Sequence, residues 1–301
     1  MRVFVTGASG YAGYHAAIRL AAVGHTVTGL VRNPGQPRLK ILREHEVRLL
    51  KGDVAEPESY RVELERSDVV IHTMFDKKRP FDTDRALFAA LESLPARTPA
   101  RRFTYTTGSS IFGKLPIEVM DETTEPNPDH PLAFRRGLER EALAIANVST
   151  VVVRPGFMFG YDGYNSVSTD WFEVAESGDP VFRGDQNRGW SWIHVGDLAE
   201  AYRLIAEADH ATVGGEIFHL ADQRRPRSLD VMRACVAAVS PKTEIRFEGP
   251  IKGDNISTWF NQNEFLTAQK ARDRLGWVAR HDGVIESADR LYRSWKAANA
   301  L

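Results

Sequence analysis

Short apolar, β-branched runs at residues 3–5, 26–31, 47–50, 68–72, 102–106 and 150–153 punctuate the first half of the chain. Runs that are apolar at consecutive rather than alternate positions suit strands buried on both faces. Between them, residues 12–23, 36–46, 58–65, 82–94 and 131–146 carry apolar positions spaced for one buried helical face. This alternation predicts an α/β fold, a doubly wound parallel sheet of the Rossmann type wrapped by helices. After about residue 155 the rhythm breaks. A loop and helix rich in Gly, Asp and aromatic residues comes first, then a helix at 197–207, an apolar run at 216–220 and helices near 228–239, 267–275 and 284–297. The expected organisation is a Rossmann domain over 1–160, to which segments near 185–222 return, and a smaller C-terminal lobe over 161–301 that is mainly substrate-binding.

Composition narrows the partners. With 39 basic against 40 acidic residues the net charge is -1, so no global field favours nucleic acid or an anionic membrane. The single Cys235 offers neither an internal disulfide nor a cysteine metal cluster, which suits a reducing compartment. No apolar run approaches the roughly 20 residues of a membrane span, and Met1-Arg2 leads straight into the first strand without a signal-peptide pattern. The expectation is a soluble, cytoplasmic protein with a small-molecule substrate, no metal and room for a homodimer.

The first strand ends in Thr6-Gly7-Ala8-Ser9-Gly10-Tyr11-Ala12-Gly13, and a helix follows at once. In such a unit Gly7 permits the tight turn, Gly10 lets the backbone approach a pyrophosphate, and Gly13 lets helix and strand pack closely. Free N–H groups at the helix start then face the phosphates, which places Ser9, Tyr11 and Ala12 beside them. An acidic residue closing the second strand would accept bonds from a free ribose 2′-hydroxyl. Val31-Arg32-Asn33 stands there instead, and an arginine fork suits a 2′-phosphate, so the expected cofactor is NADP(H). Asp53 and Val54, closing the third strand, suit an adenine contact.

Seven blocks in order then resemble the short-chain dehydrogenase/reductase superfamily, in the extended and atypical branches related to sugar-nucleotide epimerases and dehydratases. They are the glycine motif, Asp53-Val54, Asp68-Val69-Val70-Ile71-His72-Thr73, Tyr105-Thr106-Thr107-Gly108-Ser109-Ser110-Ile111-Phe112-Gly113, Val153-Arg154-Pro155-Gly156-Phe157-Met158-Phe159-Gly160, Ile193-His194-Val195-Gly196-Asp197-Leu198-Ala199 and Lys270-Ala271-Arg272-Asp273-Arg274-Leu275-Gly276-Trp277. The resemblance implies that Thr73, Met74 and Phe75 touch the ribose side of the cofactor. It puts Thr107 beside the nicotinamide ribose, and Pro155, Gly156, Phe157 and Met158 along the nicotinamide ring.

The superfamily's usual chemistry uses a tyrosine proton donor, a lysine four residues later that lowers its pKa, and a Ser or Thr that binds the reacting oxygen. Here those positions hold Phe134, Leu138 and Gly108. The literal Tyr-x-x-x-Lys, Tyr292 to Lys296, falls in the last helix, beyond every cofactor strand, and reads as a chance match. Hydride transfer needs no protein acid, so the proton has three candidate sources: water held by Ser109 or Ser110, a hydroxyl of the substrate, or Tyr161 in the loop 160–165. His72 and His194 read as buried structural histidines, and Asp197 as a helix N-cap. Phe75, Phe112, Phe134, Phe157, Met158, Tyr161, Tyr164, Trp190 and Trp192 suggest an apolar substrate wall suited to a flat carbonyl compound. The resemblance thus implies an atypical NADPH-dependent ketoreductase of secondary metabolism acting on a bulky hydrophobic or polycyclic aromatic carbonyl. A catalytically silent NADP(H)-binding redox sensor and a non-redox isomerase or cyclase are the alternatives.

Overall fold

The computed structural model describes residues 1–249 and 261–300. Its seven-stranded sheet comprises β1 (Arg2–Thr6), β2 (Thr26–Val31), β3 (Arg48–Lys51), β4 (Val69–His72), β5 (Arg101–Thr106), β6 (Val148–Pro155) and β7 (Ile217–Leu220). All neighbours are parallel, in the order β3-β2-β1-β4-β5-β6-β7. Strand order reverses direction between β1 and β4, which opens a crevice at their carboxyl ends where such sheets bind ligands. Every residue of β4, β5 and β7 is buried, including the polar Arg101, Arg102, Thr104 and Thr106 of β5, where the two guanidinium groups donate to backbone carbonyls.

The first-half helices are α1 (Tyr11–Ala22), α2 (Lys40–Glu44), α3 (Arg61–Arg66), α4 (Asp82–Glu92) and α5 (Arg135–Leu143). Three of them are shorter than their apolar pattern predicts. A 3-10 turn at Pro37–Leu39 precedes α2 and another at Pro57–Ser59 precedes α3, each begun by a proline that fixes the entry. Residues 130–135 form successive i to i+3 turns, so α5 starts four residues later than the pattern suggests.

The second half supplies α6 (Val167–Glu176) and α7 (Val195–Glu207), followed by helices Ser228–Val239, Gln269–Leu275 and Ala288–Asn299. On one sheet face α1 packs on α7 through Ala16, Ala17 and Ala201, whose small side chains bring the axes close. On the other face Leu87, Leu91, Leu138 and Ala142 of α4 and α5 cover Phe103 and Tyr105. Each such leucine, fully buried, stabilises the fold by about 1.5–3 kcal/mol. A separate core under α6 gathers Trp171, Phe172, Trp190, Trp192, Met232 and Trp295. A short parallel pair, Phe157–Phe159 with Trp192–His194, joins this core to the end of β6. No helix among the described residues is long and apolar enough to cross a membrane.

Candidate functional site

At the carboxyl ends of β1, β2 and β4 lies a groove of about 300 Å³ lined by Gly7, Ser9, Gly10, Arg32, Asp53, Val54, Thr73, Met74 and Phe75, among others. Gly7 has φ +75°, and a Cβ there would stand 2.9 Å from Thr73 Oγ1 and 3.0 Å from the Met74 nitrogen. A Cβ on Gly13 would stand 2.5 Å from the Gly7 carbonyl oxygen. Both positions therefore exclude any side chain. Gly10 caps α1 with no side-chain bond, and the first turn carries no acidic residue. An uncapped, carboxylate-free helix start of this kind suits an anion. Tyr11 and Ala12 are buried, and the Tyr11 hydroxyl donates to the Gly160 carbonyl, so these two side chains face the core and only their backbone borders the groove.

Arg32 is exposed at the groove rim and forms no ion pair or hydrogen bond with another described residue. Asn33 is engaged elsewhere, its Oδ1 accepting from the Gly35 N–H at 3.0 Å. Asp53 closes its own turn by accepting from the Ala55 N–H at 2.9 Å, and Val54 is buried. Arg38, which the sequence reading missed, donates from Nη1 to the Ser9 carbonyl at 2.9 Å and from Nε to Asp162 at 3.0 Å. Its guanidinium lies 3.9 Å from the Tyr14 ring centre and 4.1 Å from that of Tyr164. Burial alone would raise the Asp162 carboxyl, but His15 and Arg38 outweigh it and hold its pKa at about 2. Arg38 thus fastens the loop 160–165 to the phosphate turn. Its spacing from Arg32 gave no signal in the sequence, because the contact spans two elements far apart along the chain.

Beyond β5, Thr107 Oγ1 donates to Glu139 Oε1 at 2.5 Å, and Arg154 grips the same carboxylate at 2.9 and 2.6 Å. Leu138 points into the core, while Phe134 lies 4.6 Å from the Phe81 ring. The buried Arg135 donates to the Thr106 carbonyl at 3.1 Å and sits 4.4 Å from the Phe75 ring. Ser110 is half-buried, its carbonyl 2.8 Å from His130 Nε2. Ser109 is buried and donates to Glu264 at 3.4 Å. Pro155 and Gly156 are buried, and a Cβ on Gly156 would come within 2.5 Å of the Ser191 carbonyl oxygen. Phe157 and Met158 are half-buried where β6 meets the second lobe.

Several expected wall residues lie elsewhere. Trp190 and Trp192 are 0% exposed, and Trp190 stacks behind Phe157 at 3.9 Å, so the pair backs the wall without lining it. Phe112 is likewise fully buried. Tyr164 lines the groove at the ends of β1, β2 and β4, beside Gly7 and Arg32. Tyr161, at φ +50°, stacks 4.7 Å from His15 of α1 and lines a separate cleft between α1 and α7. Its ring contacts are with His15, His194 and His281, and the residues lining that cleft include neither Ser109 nor Ser110.

The buried histidines are structural as read. His72 bridges Thr6 at 2.6 Å and Asp84 at 3.1 Å. His194, not Asp197, caps α7, accepting from the Gly196 N–H at 3.1 Å, while Asp197 bonds His281 from the first turn. Tyr292 and Lys296 both bind Glu176 at 2.8 Å on the surface of the last helix.

The family model for the NAD dependent epimerase/dehydratase family matches residues 3–221. The chain is 26% identical over 298 residues to the uncharacterized protein YLL056C of Saccharomyces cerevisiae, covering 95% of this chain and 97% of that one. It is 27% identical over 245 residues to the 4-hydroxy-2-methyl-3-oxo-4-farnesyl-3,4-dihydroquinoline-1-oxide ketoreductase of Stigmatella aurantiaca, covering 74% and 68%. The fold superposes with a TM-score of 0.83 on DesIV, a dTDP-glucose 4,6-dehydratase from Streptomyces venezuelae with NAD and TYD bound, at 16% identity over 100% and 98% of the two chains.

Proposed function

Since the chain belongs to the NAD dependent epimerase/dehydratase family, whose members work with a nicotinamide dinucleotide, we propose that it is an NADPH-dependent reductase of a bulky, hydrophobic carbonyl compound in cytoplasmic secondary metabolism. The observation that carries this reading is an intact glycine cradle with an unpaired Arg32 at its rim, combined with an α5 face that offers Phe134 and buried Leu138 where the tyrosine and lysine would stand. The cradle fits the cofactor because Gly7 and Gly13 leave no room for side chains and the start of α1 is uncapped.

Gly7, Gly10 and the first turn of α1 would hold the pyrophosphate, Arg32 the 2′-phosphate, and Asp53 with the Val54 backbone the adenine. Thr73, Met74 and Phe75 would border one ribose and Thr107 the other, with Glu139 and Arg154 fixing the Thr107 hydroxyl. Pro155 to Met158 would flank the ring. When bound, NADPH supplies a hydride. The protein's part is to orient the carbonyl and to deliver a proton to its oxygen from the Ser109–Ser110 turn. Phe75 at the groove and the Phe81–Phe134 ring pair beyond it support a ring system over a diphosphate sugar. The ketoreductase relative points the same way.

The test is NADPH oxidation against a panel of quinones and polycyclic ketones. Turnover with at least one of them, and little with NADH, is expected. Tight NADPH binding with no turnover on any carbonyl would replace this reading with the redox sensor.

A further inference from the structure

Glu264 is 0% exposed and lies on the segment that enters the short strand Phe265–Leu266. Its Oε2 lies 3.4 Å from the Ser109 hydroxyl, and its Oε1 accepts from Gln262 Nε2 at 2.7 Å. Its backbone is fixed as well, since its N–H donates to Gly189 and its carbonyl accepts from Ser191, both at 3.0 Å. The carboxyl is therefore rigidly aimed at the turn that follows β5. Apart from its chain neighbours Thr107 and Ser109, a Cβ on Gly108 would meet the Pro155 oxygen and Ser110 Oγ at 3.8 Å, ordinary van der Waals contact. The serine position of the usual chemistry thus holds no side chain, and the hydroxyl of the next residue, Ser109, has a buried carboxyl behind it.

We propose that Glu264 is the proton reservoir of the reduction, working through Ser109 in place of the missing tyrosine and lysine. The inference rests on the reductase reading. A bound reduced nicotinamide cofactor would supply hydride to the carbonyl carbon, and as the C=O π pair moved onto oxygen that oxygen would take the Ser109 proton. The Ser109 hydroxyl, which donates to Glu264 in the cofactor-free protein, would turn toward the substrate oxygen, so that its own oxygen accepts the Glu264 proton in the same motion. The carbonyl is reduced to an alcohol, the cofactor is oxidised, and Glu264 is left as a carboxylate that solvent reprotonates after product leaves. Glu264 acts through another group and is therefore a positioning and proton-holding residue. Ser109 is the one that touches the reacting oxygen. A donor–acceptor distance of 3.4 Å is loose, as catalytic hydrogen bonds often are before substrate arrives.

Protonation at neutral pH follows from burial, which pushes the Glu264 pKa up to about 8 against the opposing hydrogen bonds of Gln262 and Ser109. Those two polar side chains are the ones that bear on its ionisation among the described residues.

The experiment compares Glu264→Gln and Ser109→Ala with the wild type in kcat against pH and NADPH affinity. It also records the infrared carboxyl band of the cofactor-free protein across pH. The wild type should lose kcat as pH rises through about 8, and its protonated-carboxyl band should vanish over the same range and be missing in Glu264→Gln. Each variant should lose about 10²–10⁴-fold in kcat, the double variant no more, with NADPH affinity unchanged. A loss below tenfold in Glu264→Gln, an unchanged alkaline limb, or a carboxyl band that titrates near pH 4 would each overturn the relay while leaving the reductase standing. A wild type that turns over no carbonyl defeats both, which separates the two failures.

Discussion

Glu139 and Arg154 are each 0% exposed and meet through two bonds at 2.9 and 2.6 Å. Replacing Glu139 by Ala strands a guanidinium in the core. It also strips Thr107 of its acceptor, and the remaining polar contact of Arg154 is His219 at 3.3 Å. Breaking one side of a buried pair costs about 3–5 kcal/mol, because the charge left behind has no water. At roughly 2 °C per kcal/mol for a chain of this length, the melting temperature should fall by about 6–10 °C. Glu139→Leu and Arg154→Met should each cost as much alone, whereas the double variant, which removes both charges with apolar side chains of similar volume, should cost far less than their sum, leaving a coupling of at least about 2 kcal/mol. Urea unfolding of the four proteins, followed by tryptophan fluorescence, measures this cycle. Singles that cost under about 1 kcal/mol, or a double variant that simply adds them, would refute the reasoning.

Further outcomes follow from single contacts. Calorimetric titration should show tighter binding of NADP(H) than NAD(H), and Arg32→Ala should abolish that preference; equal affinities in the wild type would count against Arg32 as the phosphate fork. Tyr292→Phe, Lys296→Ala and Tyr161→Phe should each keep turnover within a factor of about two, since none approaches Ser109. Burial and the neighbouring His281 hold His194 down to a pKa of about 3, against about 6.5 in the unfolded chain. The unfolded state then binds the extra proton, so this contribution is complete above about pH 6.5 and declines as pH falls toward 3. Urea midpoints at pH 7 and pH 5 should differ more for the wild type than for His194→Asn, and equal differences would contradict the assignment.

The sheet was legible because short runs rich in apolar and β-branched residues recur between helical patterns, and the glycine cradle because its spacing has a steric cause that the Gly7 and Gly13 contacts bear out. Helix starts were less legible: Pro37, Pro57 and the turns at 130–135 divert the backbone without disturbing the apolar spacing. The aromatic wall misled for a different reason. Trp190, Trp192 and Phe112 have the same composition whether they face a ligand or a core, and only packing decides. Arg38 and Glu264 were invisible because each matters through a partner far along the chain, Ser9 or Ser109, that no local pattern announces.

The last strand of the sheet, β7, and the helix α7 that covers α1 both arrive after the chain has already visited the second lobe. Cutting near residue 160 would leave Val152 and its neighbours in β6 without one of their two partner strands and the apolar side of α1 bare. The two halves are therefore plaited, and residues 1–160 cannot be lifted out as a self-contained unit. Diversification on such a scaffold must proceed by substitution at loop tips, with both halves inherited together.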